Sequence, residues 1–76
     1  MSVMPSDLQL TFGQRVRAER ERKGLSQADL ARLLEIHQPD LCDIEKGRHA
    51  PTLETVGKIA LKLDVPATDL LSPSRI

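Results

Sequence analysis

The chain has 76 residues, a net charge of zero from eleven basic and eleven acidic residues, and one cysteine, Cys42. This length allows a single small domain, and one cysteine excludes both an intrachain disulfide and a zinc site of the usual cysteine and histidine spacing. The first residues lack the basic and apolar regions of a signal peptide, and no apolar run is long enough to span a membrane, so we expect a cytoplasmic protein.

The first third of the chain predicts an arm followed by one helix. Residues 1–10 show little periodicity and are predicted to form a flexible N-terminal arm. From Phe12 to Lys23 the apolar residues fit one face of a helix, with Phe12 and Val16 four positions apart. Gly24 has the position of a residue that ends a helix.

Two short helices joined by a tight turn are predicted between Ser26 and Gly47. Ser26 can cap the first of them, and Asp29 can complete a capping box. The second begins near Gln38 and Pro39, because proline suits the first helical turn, and Gly47 ends it. Helix, turn and helix is the unit that places one helix in the major groove of DNA and the other across it.

Two further helices are predicted in the last third of the chain. Thr52 caps a fourth helix that ends at Asp64, and a short fifth helix covers residues 66–71. The predicted fold is therefore all-α, a compact five-helix bundle that contains a helix-turn-helix. We place the domain at residues 11–72 and a C-terminal tail at residues 73–76.

The basic residues are unevenly distributed although the total charge is neutral. Five of the eleven lie in one nine-residue stretch and two follow the third predicted helix: Arg15, Arg17, Arg20, Arg22 and Lys23, then Lys46 and Arg48. Nucleic-acid-binding proteins usually carry a basic face. The average charge therefore neither supports nor excludes DNA as a partner.

Patterns typical of catalysis and metal binding are missing from the sequence. Neither His37 nor His49 has a nucleophile and an orienting acid at motif spacing. Asp40 and Asp43 share one predicted helix, but a metal would need more ligands than lie nearby. There is no glycine-rich phosphate loop. We predict that the chain is not an enzyme and that it has no cofactor, metal or small-molecule ligand.

A set of short motifs in a fixed order resembles one known family, the helix-turn-helix domains of phage repressors, Cro proteins and Xre-like bacterial regulators. The resemblance covers about four fifths of the chain, from Phe12 to Leu71. The motifs are Phe12-Gly13-Gln14-Arg15-Val16-Arg17, Arg20, Lys23-Gly24-Leu25-Ser26-Gln27, Leu30-Ala31, Ile44-Glu45-Lys46-Gly47, Pro51-Thr52-Leu53-Glu54 and Ile59-Ala60. The resemblance implies a lambda-repressor-like DNA-binding domain.

The resemblance also implies roles for particular residues. The helix Gln38–Lys46 is the expected recognition helix, and Arg20 and Glu45 are the expected partly buried ion pair that positions it. The expected base contacts are Gln38, Pro39, Cys42 and Asp43. The expected phosphate contacts are Gln27, His37, Lys46, Arg48 and His49. Alternatives stay open for several of these residues. Gln27 is an ordinary exposed residue in one of them, His37 a neutral exposed residue at a turn, and Cys42 a small half-buried residue. The run from Arg15 to Lys23 is in part a solvated face, and Lys46 and Arg48 are cations that only favour a helix C-terminus.

Three residues depart from the pattern of the family. Glu35 stands at the turn position where the family usually has glycine, and a left-handed conformation there costs a non-glycine residue on the order of 1 kcal/mol. Pro39 has no polar group with which to contact a base, and Asp43 repels phosphates. Asp43 can nevertheless accept a hydrogen bond from the exocyclic amine of cytosine, and Gln38 can pair bidentately with adenine.

The predicted function is a sequence-specific regulator of transcription that binds double-stranded DNA as a homodimer on a pseudo-palindromic operator. The predicted dimer contact involves apolar residues of the last two helices and the tail, which are Val65, Leu70, Leu71 and Ile76. The alternative is a protein-interaction module of the same fold, antitoxin-like or an adaptor. In that case the acidic third helix, with Asp40 and Asp43, binds a protein partner.

Overall fold

The computed structural model describes residues 5–71, with side chains from Asp7 onward, and this part of the chain contains helices and no strand. The five helices are α1 (Pro5–Arg22), α2 (Gln27–Leu34), α3 (Gln38–Glu45), α4 (Leu53–Leu63) and α5 (Ala67–Leu71). The all-α helix-turn-helix bundle predicted from the sequence is confirmed. Helices α2 and α3 form the predicted helix-turn-helix pair.

Helix α1 is longer than predicted, because it begins at Pro5 and includes residues that the sequence analysis placed in the arm. Proline is preorganised for the first turn of a helix, and the acidic Asp7 is favourable near the positive end of the helix dipole. Leu8 and Leu10 are both exposed, so the first turns carry no buried apolar stripe for periodicity to reveal. The prediction of an arm is wrong for residues 5–10, whereas residues 1–4 and 73–76 lie outside the described residues.

The capping box predicted at the start of α2 is present. The Ser26 hydroxyl accepts a hydrogen bond of 3.0 Å from the backbone N–H of Asp29, and the Asp29 carboxylate accepts one of 3.1 Å from the backbone N–H of Ser26. These hydrogen bonds, the one from the Ser26 N–H above all, lower the pKa of the Asp29 carboxyl. Glu35 ends α2 in the left-handed region at φ 60°, as the resemblance to the family suggested.

The core is apolar and is built from all five helices. Its buried side chains are Phe12, Val16, Leu30, Ala31, Leu34, Leu41, Ile44, Val56, Ile59, Ala60, Leu63 and Leu70. Gly13 allows α1 to lie directly against the end of α3, because a Cβ at this position would collide with the carbonyl oxygens of Ile44 and Glu45. This contact fixes the end of α3 relative to α1.

Part of the apolar surface predicted for dimer contact belongs to the core instead. Helix α5 packs against α1, and Arg15 Nε donates a hydrogen bond of 3.1 Å to the carbonyl oxygen of Asp69. As a result Leu70 is fully buried and Val65 packs partly buried against the core. The prediction is therefore wrong for Leu70, whereas Val65 and Leu71 keep part of their surface exposed and Ile76 lies outside the described residues.

Candidate nucleic-acid interface

Helix α3 turns one face to the core and the opposite face to solvent. Leu41, Ile44 and Glu45 are buried. The four residues expected to contact bases are on the other side of the helix: Gln38 and Pro39 are exposed, and Cys42 and Asp43 are half-buried. The structure thus brings the expected base contacts together on one accessible face, which we call the outer face of α3.

An ion pair between Arg20 of α1 and Glu45 holds the end of α3. Arg20 Nε and Nη2 donate hydrogen bonds of 2.7 and 3.1 Å to the two carboxylate oxygens of Glu45, and Nη1 donates one of 2.9 Å to the carbonyl oxygen of Leu25. The two residues are only 9% and 6% exposed. The hydrogen bond to Glu45 raises the pKa of Arg20, although burial acts in the opposite direction.

Gln27 connects this ion pair to the start of α3. Its Nε2 donates a hydrogen bond of 3.1 Å to Glu45 Oε1, and its Oε1 lies 3.5 Å from Nε2 of Gln38. The expected phosphate contact and the expected reader of adenine therefore touch each other. This contact uses only one amide hydrogen of Gln38. Its carbonyl oxygen and its second amide hydrogen stay available, and these are the two groups that bidentate pairing with adenine requires.

A polar depression of about 300 Å³ lies beside the outer face of α3. It is lined by Arg17, Arg20, Gln27, Glu45 and Lys46. It adjoins the N-terminus of α2, where the helix dipole has its positive end and the capping box already occupies the backbone N–H groups of Ser26 and Asp29. Two exposed cations, one neutral amide and a helix N-terminus together form a suitable surface for a phosphate.

Arg17 is a candidate contact that the sequence analysis missed. Within the run of basic residues in α1, Arg17 pairs with Glu21 at 3.2 Å. Both side chains of that pair are mostly exposed, so it holds Arg17 weakly. The available signal was its position three residues before Arg20, which places both on the side of α1 that meets α3.

The remaining expected phosphate contacts lie at the two ends of α3. His37 precedes the helix as its N-cap residue without a side-chain capping hydrogen bond. Arg48 and His49 follow the helix, and all three residues are exposed. His49 also lines a depression of about 250 Å³ between α3 and α4, together with Asp40, Thr52 and Thr55. His37 therefore lies at the N-terminal end of α3, and Arg48 and His49 lie at its C-terminal end.

Within residues 5–71 no group of three histidine, cysteine, aspartate or glutamate side chains is arranged to hold a metal ion. None of the described helices is both long enough and apolar enough to cross a membrane.

Known proteins share this fold and this sequence pattern. Residues 16–70 match the helix-turn-helix family. Control protein C.BamHI of Bacillus amyloliquefaciens is 36% identical over 69 residues, which are 90% of this chain and 85% of that protein. The immunity repressor protein of Bacillus phage phi105 is 32% identical over 62 residues, but these cover 82% of this chain and only 43% of the repressor. The crystal structure of the restriction-modification controller protein C.AhdI from Aeromonas hydrophila superposes with a TM-score of 0.78 at 35% identity, covering 82% of this chain and 94% of C.AhdI.

The chain is a helix-turn-helix DNA-binding regulator of transcription. This class follows from its helical bundle, from the accessible face of α3 and from its similarity to known regulators. This chain belongs to the helix-turn-helix family. The resemblance to phage repressors and Xre-like regulators that the sequence motifs indicated is confirmed.

Proposed function

We propose that the chain regulates transcription in the cytoplasm as a homodimer that binds a pseudo-palindromic DNA operator, with one α3 helix in the major groove of each half-site. The observation that carries this proposal is the outer face of α3 lying beside a depression lined by Arg17, Gln27 and Lys46. One surface then offers side chains for base edges and cations for the adjoining phosphates, which are the two parts of specific DNA recognition.

The phosphate contacts fix the register of α3 in the groove. Arg17 and Lys46 supply positive charge at the depression, and Gln27 donates from its amide at the N-terminus of α2. Arg48 and the two histidines extend these contacts beyond the ends of α3. Because the net charge of the chain is zero, this local arrangement provides the electrostatic attraction that the overall composition lacks.

The base contacts are assigned by the chemistry of each side chain on the outer face. Gln38 pairs with adenine, and Pro39 offers an apolar contact to a thymine methyl group. Asp43 accepts a hydrogen bond from the exocyclic amine of cytosine, and Cys42 is small enough to approach a base edge. Asp43 is left available for this role, because its carboxylate makes no hydrogen bond or ion pair with the described residues.

Two copies are required because one neutral domain makes few contacts. A two-fold dimer doubles the contacts and places its two α3 helices about one helical turn of DNA apart, roughly 34 Å. Because the dimer is two-fold symmetric, we expect its operator to consist of two inverted half-sites.

Fluorescence anisotropy with operator duplexes selected from a random pool tests this proposal. Arg17→Ala and Lys46→Ala should weaken binding to all sequences alike and each should lower the slope of log affinity against log salt by about one. Lys62→Ala on α4 removes a cation outside the depression and should change neither quantity. Gln38→Ala should instead relax base preference at one position by about 1–3 kcal/mol. Absence of binding to any duplex at about 50 mM salt, where phosphate contacts are strong, would overturn the proposal.

The second candidate is a protein-interaction module, and the acidic residues of α3 favour it. Asp40 and Asp43 have no side-chain partner among the described residues, and a basic protein surface would pair with both. In that case Asp40→Asn and Asp43→Asn together should weaken binding to the partner protein. The same double variant should tighten nonspecific DNA binding, because it removes charges that repel phosphates.

A further inference from the structure

One of the two exposed cations that line the depression beside α3 is held in an ion pair. Arg17 Nε donates a hydrogen bond of 3.2 Å to Glu21 Oε2, one turn further along α1. The two side chains are 64% and 55% exposed, so the pair is solvated and weakens as salt rises. Lys46, the other exposed cation, forms no ion pair within the described part of the chain. The two cations therefore differ in how freely they can bind an anion.

Glu21 contributes little to the stability of its own helix. It lies in the last turn of α1, which ends at Arg22, and a carboxylate in that turn meets the negative end of the helix dipole. An ion pair in which the acidic residue follows the basic one by four positions is also the less favourable orientation on a helix. An uncharged residue would suit this position as well as glutamate, so helix stability does not account for the carboxylate.

The charge of Glu21 acts on the depression itself. The pKa of Arg20 is raised above all by the hydrogen bond to Glu45, and the charge of Glu21 adds a smaller contribution in the same direction. Arg20 lines the depression together with Arg17. Glu21 is therefore within electrostatic reach of both guanidinium groups. An anion that enters the depression meets these two cations and is repelled by the Glu21 carboxylate.

We propose that Glu21 competes with the DNA phosphate for the guanidinium of Arg17. This inference rests on the proposed function, because it requires Arg17 to contact a phosphate. A carboxylate and a phosphate both accept charge-assisted hydrogen bonds from the guanidinium fork, and Glu21 already accepts from Nε of Arg17. In the free chain Glu21 therefore holds Arg17. In the complex a phosphate oxygen takes the place of the carboxylate, which turns to solvent.

This exchange lowers the affinity of the chain for DNA without changing its base preference. Phosphate contacts carry no sequence information of their own, so the cost of releasing Arg17 from Glu21 applies to operator and nonspecific duplexes alike. The strength of an exposed ion pair corresponds to a factor of roughly two to five in affinity. Glu21 thereby limits the binding of DNA that the outer face of α3 does not recognise.

Fluorescence anisotropy with the selected operator and with a random duplex tests the competition. Glu21→Gln preserves the size of the side chain and removes its charge, so it should tighten binding to both duplexes by roughly two- to fivefold at about 50 mM salt. The gain should shrink as the salt concentration rises. Glu54→Gln on α4 makes the same change in net charge at an exposed residue outside the depression, and it should leave both affinities nearly unchanged.

Two further backgrounds separate competition for Arg17 from general repulsion of DNA. Glu21→Gln should lose most of its effect in combination with Arg17→Ala, because no guanidinium is left to release. It should keep its full effect in combination with Lys46→Ala. An equal gain in both backgrounds would show that Glu21 acts only by repelling DNA at a distance and would overturn the inference. Weaker binding by Glu21→Gln alone would show that the carboxylate positions Arg17 for the phosphate, and this result would overturn it as well.

A titration of the free chain with inorganic phosphate requires no operator. The Nε–H resonance of Arg17, followed by NMR, should shift at a phosphate concentration roughly two to five times lower in Glu21→Gln than in the wild type. The same midpoint in both chains would contradict the competition. Operator binding that Arg17→Ala weakens and Glu21→Gln leaves unchanged would reject the inference while the proposed function stands. Failure to bind any duplex would reject the proposed function, and the phosphate titration alone would then decide whether Glu21 competes for Arg17.

Discussion

Gln27 Nε2 donates a hydrogen bond of 3.1 Å to Glu45 Oε1, the same carboxylate oxygen that accepts from Arg20 Nη2. Glu45 therefore joins three helices: α1 through Arg20, α2 through Gln27 and α3 through its own backbone. A single buried carboxylate sets both the position of α3 and the orientation of the amide that faces the depression. The stability of the fold and the geometry of the candidate interface depend on the same side chain.

Glu45→Ala should strongly destabilise the chain. The substitution leaves the Arg20 guanidinium, in a residue only 9% exposed, without its carboxylate partner, and breaking a buried pair from one side costs about 3–5 kcal/mol. The free energy of unfolding from urea denaturation measures this loss.

Glu21→Ala is the matched control for Glu45→Ala. It removes the carboxylate of an exposed pair, Arg17–Glu21 at 3.2 Å, and should cost less than about 1 kcal/mol. Equal losses in the two variants would contradict a special role for the buried pair.

Asp29→Asn should lower stability in a pH-dependent way. The N–H and hydroxyl of Ser26 lower the pKa of Asp29 from its ordinary value of 3.8, so the ionised carboxylate is favoured in the folded chain. Its contribution is fully present above pH 3.8 and is lost as the pH falls through the lowered pKa. The difference in unfolding free energy between wild type and variant should therefore be constant near neutral pH and should shrink in acid. A difference that stays constant down to about pH 2, below the range in which this linkage acts, would exclude the proposed cause.

Local chemistry made the scaffold predictable from the sequence. The helix ends depend on residues that are close together in the sequence. Ser26 with Asp29 and Thr52 begin helices through side-chain hydrogen bonds, and Gly47 follows the end of α3 in a left-handed backbone conformation. The start of α1 was not predictable, because Leu8 is exposed and leaves no apolar stripe there.

Features that depend on tertiary packing were harder to predict from the sequence. From the sequence, Leu70 was predicted to be exposed apolar surface available to a partner. It is buried because α5 packs against α1. The pairing of Gln27 with Glu45 depends on how α2 meets α3, so spacing along the chain gives no sign of it.

Asp43→Asn should change which base the outer face of α3 prefers. A carboxylate only accepts hydrogen bonds, and cytosine is the base that presents a donor without an acceptor in the major groove, whereas asparagine pairs bidentately with adenine. Selection from a random pool should therefore recover cytosine at one half-site position with the wild type and adenine with the variant.

A cytosine analogue without the exocyclic amine tests the Asp43 contact directly. The analogue should weaken wild-type binding by about 1–3 kcal/mol and should have little effect on Asp43→Ala, because the contact is already missing. Additive losses from the analogue and the substitution would show that Asp43 does not contact this amine.

Gly13→Ala should destabilise the chain more than Gly24→Ala, although Gly13 is helical and Gly24 has φ +73°. A Cβ at Gly24 meets no atom within 4 Å, so that variant bears only the cost of the left-handed conformation, about 1–2 kcal/mol. A Cβ at Gly13 collides with the carbonyl oxygens of Ile44 and Glu45, and α1 must move away from α3 to accommodate it.

The movement pulls Arg20 away from Glu45, so Gly13→Ala should also weaken operator binding, whereas Gly24→Ala should leave it unchanged at a temperature where both are folded. Urea denaturation and anisotropy on the same samples measure the two effects, and a Gly13→Ala chain with wild-type stability and wild-type operator affinity would show that α3 does not depend on this contact.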